Sequence, residues 1–441
     1  MRRTVILVLA AIIIAVGVFA WRTFARGPLA FAGGSTVALA DYREANPTGI
    51  PAPLAQADIV KRGEYLAKAA DCVVCHTTKD GDAFAGGLPF PAPSGTLYST
   101  NITADKDTGI GNYSDQDFLN AVQRGVRKDG ARLYPAMPYT SYTFMTDADV
   151  LAIKAYLFSL PAVHRENQPD TLQFPFNQRW SMIFWSWVFN PNTRFAPNTE
   201  KSAEWNRGAY FAEALAHCGE CHTPRNPAFG LDNRRKFAGA AYGWLAYNIT
   251  SDRGTGIGSW SDDELLAYLS KGHAAGRGTA SGPMGEVVDH SLSLMDPADI
   301  RALVIYLRSI PAIASSEPAT IAPPAPASPK EGAVANALGH KVFAQACASC
   351  HSWTGVSSLS SSATISGSRA VNDPTATNVA QIVVSGTQRL TPGSMSMPAF
   401  GSIYSDTEIA AVANYVTARF GSAASKLTAK DVAELRSQTA H

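Results

Sequence analysis

Every cysteine in this chain lies in one short pattern. The six are Cys72, Cys75, Cys218, Cys221, Cys347 and Cys350, and they fall in "CVVCH" (72–76), "CGECH" (218–222) and "CASCH" (347–351). Cys-x-x-Cys-His is the attachment signature of c-type haem. Two thiols one helical turn apart reach both vinyl groups of a single porphyrin, and the next residue offers its imidazole to the iron. Zinc built from cysteine pairs needs four ligands per ion, and three pairs do not divide into complete tetrahedra. A redox dithiol calls for a strand end in a βαβ unit, and the flanking sequence does not read that way. Structural disulfides need no histidine after each pair. The cysteines therefore predict three covalent haems, with His76, His222 and His351 as proximal iron ligands.

Internal repeats point to the ligands on the opposite face. "KRGEYLAKAADCVVCHT" (61–77) aligns with "NRGAYFAEALAHCGECHT" (206–223) and more loosely with "LGHKVFAQACASCHS" (338–352). "NITADKDTGIGNYSDQDFLNAVQRG" (101–125) matches "NITSDRGTGIGSWSDDELLAYLSKG" (248–272) at an offset of 147. Each unit closes on an amphipathic segment with an acidic first turn, at 147–162, 297–312 and 406–421. Methionine opposite histidine raises a haem's potential and suits electron transfer. Of eight methionines, Met137 and Met284 stand in register at the same offset, and Met397 is the best counterpart in the third unit. Met145 and Met295 precede the closing helices and read as packing residues. His273 and His290 compete with Met284 for the second iron.

The chain of 441 residues divides on this basis into an N-terminal segment (1–24), a linker (25–56) and a first haem unit (57–165). An aromatic connector (166–200), a second unit (201–312), an Ala/Pro linker (313–332) and a third unit (333–441) follow. The linker is read as a stiff spacer that places the third haem at a distance. "RWSMIFWSWVF" (179–189) in the connector reads as a buried strut, with an interfacial contact as the sharper alternative. Thr4–Trp21 is an uncharged apolar run, long enough to be read as a retained transmembrane helix rather than a cleaved signal. That expectation puts the protein in a bacterial inner membrane with its haem units on the periplasmic side. A net charge of +1 argues against a nucleic-acid partner.

Taken with the "NIT…GIG" loops, "VRKDGARLYPAMPY" (126–139) and the Ala/Pro linker, the sequence resembles the triple-haem cytochrome c subunits of membrane-bound dehydrogenases of acetic acid bacteria. The resemblance runs from about residue 57 onward. It implies an all-α fold of three class I cytochrome c domains in tandem, here behind a transmembrane helix. It also implies electron relay from a separate catalytic subunit to ubiquinone. The retained anchor tilts the partner toward the aldehyde-oxidising type, with molybdopterin and iron–sulfur centres, over a quinoprotein or flavoprotein. Two other classes stay open: a haem enzyme with one vacant distal position, and a cytochrome subunit of a terminal oxidase. No catalytic residue is expected in the chain itself.

Overall fold

A computed structural model describes residues 2–24, 35–38, 57–92, 94–315, 335–390 and 395–438. Helix α1 (Arg2–Phe24) comes first, and strand β1 (Ser35–Ala38) pairs antiparallel with Thr193–Ala196 in the connector. Unit one contains α2 (Ile59–Ala69), the one-turn α3 (Cys72–Cys75), the ribbon β2–β3 (Pro89–Ala92, Gly95–Tyr98), α4 (Asp115–Arg124), α5 (Tyr139–Tyr142) and α6 (Asp147–Ser159). The connector supplies α7 (Met182–Phe189) and β4 (Thr193–Ala196). Unit two repeats the plan with α8 (Ala203–Tyr210), α9 (Gly219–His222), α10 (Asp262–Lys271), α11 (Pro283–His290) and α12 (Pro297–Ser309). Its ribbons are β5–β6 (Ala240–Ala241, Leu245–Ala246) and β7–β8 (His273–Ala274, Gly278–Thr279). Unit three has α13 (Ala337–Val342), α14 (Ala348–His351), α15 (Arg369–Asn372), α16 (Thr377–Ser385), α17 (Asp406–Phe420) and α18 (Ala429–Gln438).

Two expectations are corrected here. The chain is not all-α, because four two-stranded antiparallel ribbons interrupt the helices among the described residues. Nor is the transmembrane helix supported, since among the described residues no helix is long and apolar enough to cross a membrane. The inner-membrane placement loses its structural basis with that helix.

Helix crossings within each unit explain one recurring residue. A Cβ on Gly63 would lie 1.8 Å from the Ala152 carbonyl oxygen, one on Gly208 1.9 Å from Ala302 O, and one on Gly339 2.3 Å from Ala411 O. Glycine lets the first helix of each unit touch the closing helix backbone to backbone. Gly63 stands nine residues before Cys72, whereas Gly208 stands ten before Cys218. A π-helical turn, Phe211–Leu215, follows α8 in unit two.

Among the described residues the cores are two, not one per motif. Buried residues from Leu66 to Ile310 form one continuous cluster shared by units one and two. A second cluster, Val342 to Val432, belongs to unit three. Unit three is nevertheless docked rather than held at a distance. Asn378 donates to Leu245 O at 3.0 Å and accepts from Leu245 N at 2.9 Å. Arg369 donates to Thr255 O at 2.6 Å. Arg389 meets Asp289 of α11 at 2.8 Å, with both side chains 2% exposed. Most of the Ala/Pro linker lies outside the described residues.

The aromatic segment is also corrected. Trp185 packs inward, donating to Ala228 O at 2.7 Å and lying edge-on to Tyr139. Trp180, Phe184 and Trp187 are 61%, 61% and 83% exposed, so α7 buries one side only.

Candidate haem-attachment and iron-ligand sites

Each Cys-x-x-Cys pair sits on a single helical turn, α3, or the turns running into α9 and α14, with its histidine at the C-terminal end. All six thiols are free. Burial pushes the Cys72, Cys75 and Cys218 thiols up to about 12 and Cys347 to about 11. That is the opposite of the lowered values that mark reactive dithiols and metal thiolates.

The three histidines share one geometry. His76 Nδ1–H donates to Thr100 O at 2.7 Å, His222 to Tyr247 O at 2.6 Å and His351 to Ala363 O at 2.6 Å. A carbonyl can only accept, so the bond fixes the proton on Nδ1 and leaves the Nε2 lone pair for a metal. Burial also lowers the pKa of all three against the pull of those carbonyls, which keeps the rings neutral.

Two buried asparagines hold the accepting carbonyls in place. Asn101 follows Thr100 and donates to Thr108 Oγ1 at 3.0 Å and Val163 O at 2.7 Å. Asn248 follows Tyr247 and makes the same pair, to Thr255 Oγ1 at 3.0 Å and Ile313 O at 2.7 Å. Reading the sequence for ligands alone misses this role. Its signal was the "NIT…TGIG" repeat, which positions the histidines rather than binding anything itself.

The three methionines are each half-buried against the core that also packs their unit's first cysteine. Met137 stands in the turn before α5, its N–H donating to Tyr134 O at 3.1 Å. Met284 is the second residue of α11. Met397 forms an antiparallel bridge with Thr387, both bonds 2.9 Å. Met145 and Met295 are core residues, 0% and 7% exposed, as their places before the closing helices suggested. His273 lies on β7, Nδ1 bonded to Thr279 Oγ1 at 2.9 Å and Nε2 buried without a partner among the described residues. It therefore stays chemically competent as a rival to Met284. His290 ends α11.

Free thiols on single turns, neutral imidazoles with Nε2 available and thioethers in register make a donor set that fits covalent haem. In unit two the buried Nε1 of Trp260 also lacks a partner among the described residues, as a donor facing a polar group from outside the polypeptide would.

Comparison with known proteins agrees with this chemistry. Residues 60–161 match the model of cytochrome c, and residues 334–416 match that of cytochrome c oxidase, cbb3-type, subunit III. Two regions are thus matched by family models, against the three class I domains expected. The chain is 39% identical over 407 residues to the gluconate 2-dehydrogenase cytochrome c subunit of Pantoea cypripedii, covering 86% of this chain and 89% of that one. It is 38% identical over 416 residues to the fructose dehydrogenase cytochrome subunit of Gluconobacter japonicus, covering 89% and 85%. It is 34% identical to the cytochrome c subunit of alcohol dehydrogenase (quinone) of Gluconobacter oxydans, covering 86% and 82%.

Proposed function

Since the chain belongs to the family of cytochrome c subunits of gluconate, fructose and alcohol (quinone) dehydrogenases, we propose that it carries three covalent haems and relays electrons from its dehydrogenase partner to ubiquinone. The thioether anchors are Cys72 and Cys75, Cys218 and Cys221, Cys347 and Cys350. The axial pairs are His76 with Met137, His222 with Met284, and His351 with Met397. Haem supplies the one-electron chemistry, while the polypeptide fixes ligand, burial and spacing. The observation that carries this reading is the same Nδ1–carbonyl bond at all three histidines.

The relative named for a quinone supports the acceptor, as do the exposed rings of Phe184 and Trp187, which offer an apolar face beside the first two units. The tilt toward a molybdopterin partner rested on the retained anchor and falls with it. Flavoprotein, quinoprotein and molybdopterin catalytic subunits are distinguished by affinity purification of the tagged chain from its host and identification of the large chain that accompanies it. A second reading, an oxidase subunit, draws on the cbb3-type match over 334–416. Recovery of an oxidase instead of a dehydrogenase would favour it.

Met284→Ala tests the ligand assignment against both His273 and an open-site enzyme. The wild type is expected to leave carbon monoxide unbound when reduced. The variant should bind it at one haem and lose the near-infrared band of methionine-ligated ferric haem from that site. An unchanged spectrum would transfer the ligand role to another residue such as His273.

A further inference from the structure

Units one and two are joined by the same pair of contacts made twice. Tyr65 of α2 donates to Asp299 Oδ2 at 2.5 Å, and its oxygen accepts the Asp296 N–H at 3.1 Å. Tyr210 of α8 donates to Asp149 Oδ2 at 2.7 Å and accepts the Thr146 N–H at 3.0 Å. Each tyrosine thus reaches across to the N-terminal turn of the other unit's closing helix. Each aspartate is held from its own side by an arginine, Arg62 to Asp149 at 2.5 Å and Arg207 to Asp299 at 2.7 and 2.9 Å. Tyr210, Asp149 and Asp299 are no more than 1% exposed, so burial forces both partners to be satisfied.

This network is a property of two units and not of three. Counting from the crossing glycines, unit three has Leu338 in place of the arginine and Lys341 in place of the tyrosine. Glu408 stands where the aspartates are, but it is only half-buried and is spent on the capping box with Ser405. Unit three accordingly docks by other residues.

The consequence falls on the haem-attachment turns. Glu220, between Cys218 and Cys221, accepts from Thr140 Oγ1 at 2.9 Å and Ser141 Oγ at 2.8 Å, both on α5 just past Met137. In the mirror contact α3, carrying Cys72 and Cys75, packs on α11, which carries Met284. Each attachment turn is thus covered by the segment that follows the other unit's methionine.

Building on the haem reading above, we propose that Tyr65 and Tyr210 are positioning residues. They form a reciprocal latch that holds the attachment turns of units one and two in fixed register with each other, so that electrons would cross between the first two haem sites through a fixed contact. One site loses one electron and the other gains it, with no bond made and no proton moved.

The test uses full-length holoprotein as wild type, Tyr65→Phe, Tyr210→Phe and the double variant. Haem content and the midpoint potentials of all sites are measured first. Electron redistribution between the first two sites after pulsed partial reduction is then timed, and amide exchange is followed at Thr146 and Asp296. The double variant should keep its haems and potentials, expose both amides and slow the redistribution by ~10-fold or more, because a displacement of about 1 Å is costly to a positioned reaction. An unchanged rate with exposed amides overturns the proposal and leaves the tyrosines merely structural. If the double variant does not assemble, Tyr65→Phe, which keeps the Tyr210–Asp149 bond, carries the same measurement. Wild-type protein without haem at both sites would instead overturn the reading on which the proposal rests.

Discussion

Gly208→Ala is expected to destabilise the protein by about 2 kcal/mol, although alanine is the better helix former. The added Cβ would meet Ala302 O at 1.9 Å, Ala302 C at 2.5 Å and Tyr306 Cβ at 2.9 Å. The first two obstacles are backbone and cannot rotate aside, so the overpacking cost belongs near ~3 kcal/mol, the upper end of the usual range. Helix propensity returns about 1 kcal/mol. Forcing α8 off α12 also strains the Arg207–Asp299 pair one residue away and the Tyr65 bond attached to it. Thermal unfolding followed by circular dichroism checks this, and a melting temperature equal to the wild type would contradict it. Gly63→Ala should behave alike in unit one.

Arg389→Met is expected to release unit three from unit two. The guanidinium donates to Asp289 Oδ1 at 2.8 Å and to Ala280 O at 3.0 Å, while Leu390 N–H reaches Asp289 Oδ2 at 3.0 Å. Removing one partner of a buried pair leaves an uncompensated charge and costs about 3–5 kcal/mol. That is enough to part an interface made otherwise of scattered polar contacts. Small-angle scattering should report a larger radius of gyration for the variant. Salt alone should not reproduce the effect, since a pair only 2% exposed is poorly screened. Adding Asp289→Leu should restore docking, because an apolar pair of similar volume avoids the buried charge. A compact Arg389→Met variant, or undocking of the wild type by salt, would refute this account of the interface.

The chemistry of the site was more legible in the sequence than its architecture. Cys-x-x-Cys-His is a local pattern whose meaning depends on five consecutive residues, so Cys72 to His76 and their two counterparts could be read directly. The repeat register singles out Met137, Met284 and Met397 as the candidate partners across the haem. What the pattern could not carry was long-range pairing. Asp149 and Tyr210 are 61 positions apart, and Arg389 and Asp289 are 100 apart. No periodicity announces that either will be buried together. The linker suggested distance because composition reports stiffness and not where the ends dock. The connector suggested a buried strut because α7 is apolar all round, yet Trp187 faces outward while Trp185 packs inward. The short ribbons, such as the two-residue strands at His273–Ala274 and Gly278–Thr279, lie below the length at which alternation can be recognised.

The central claim is that all three cysteine pairs hold haem. Intact-mass spectrometry of the chain matured with its haem-attachment machinery, set beside a pyridine haemochrome assay for haem per chain, tests it most directly. The account predicts a mass increase of three haem groups that survives denaturation, and a ratio of three per polypeptide. In Cys218→Ala/Cys221→Ala both values should fall by one. Two or fewer haems on the wild-type chain, or haem lost on denaturation, would contradict it.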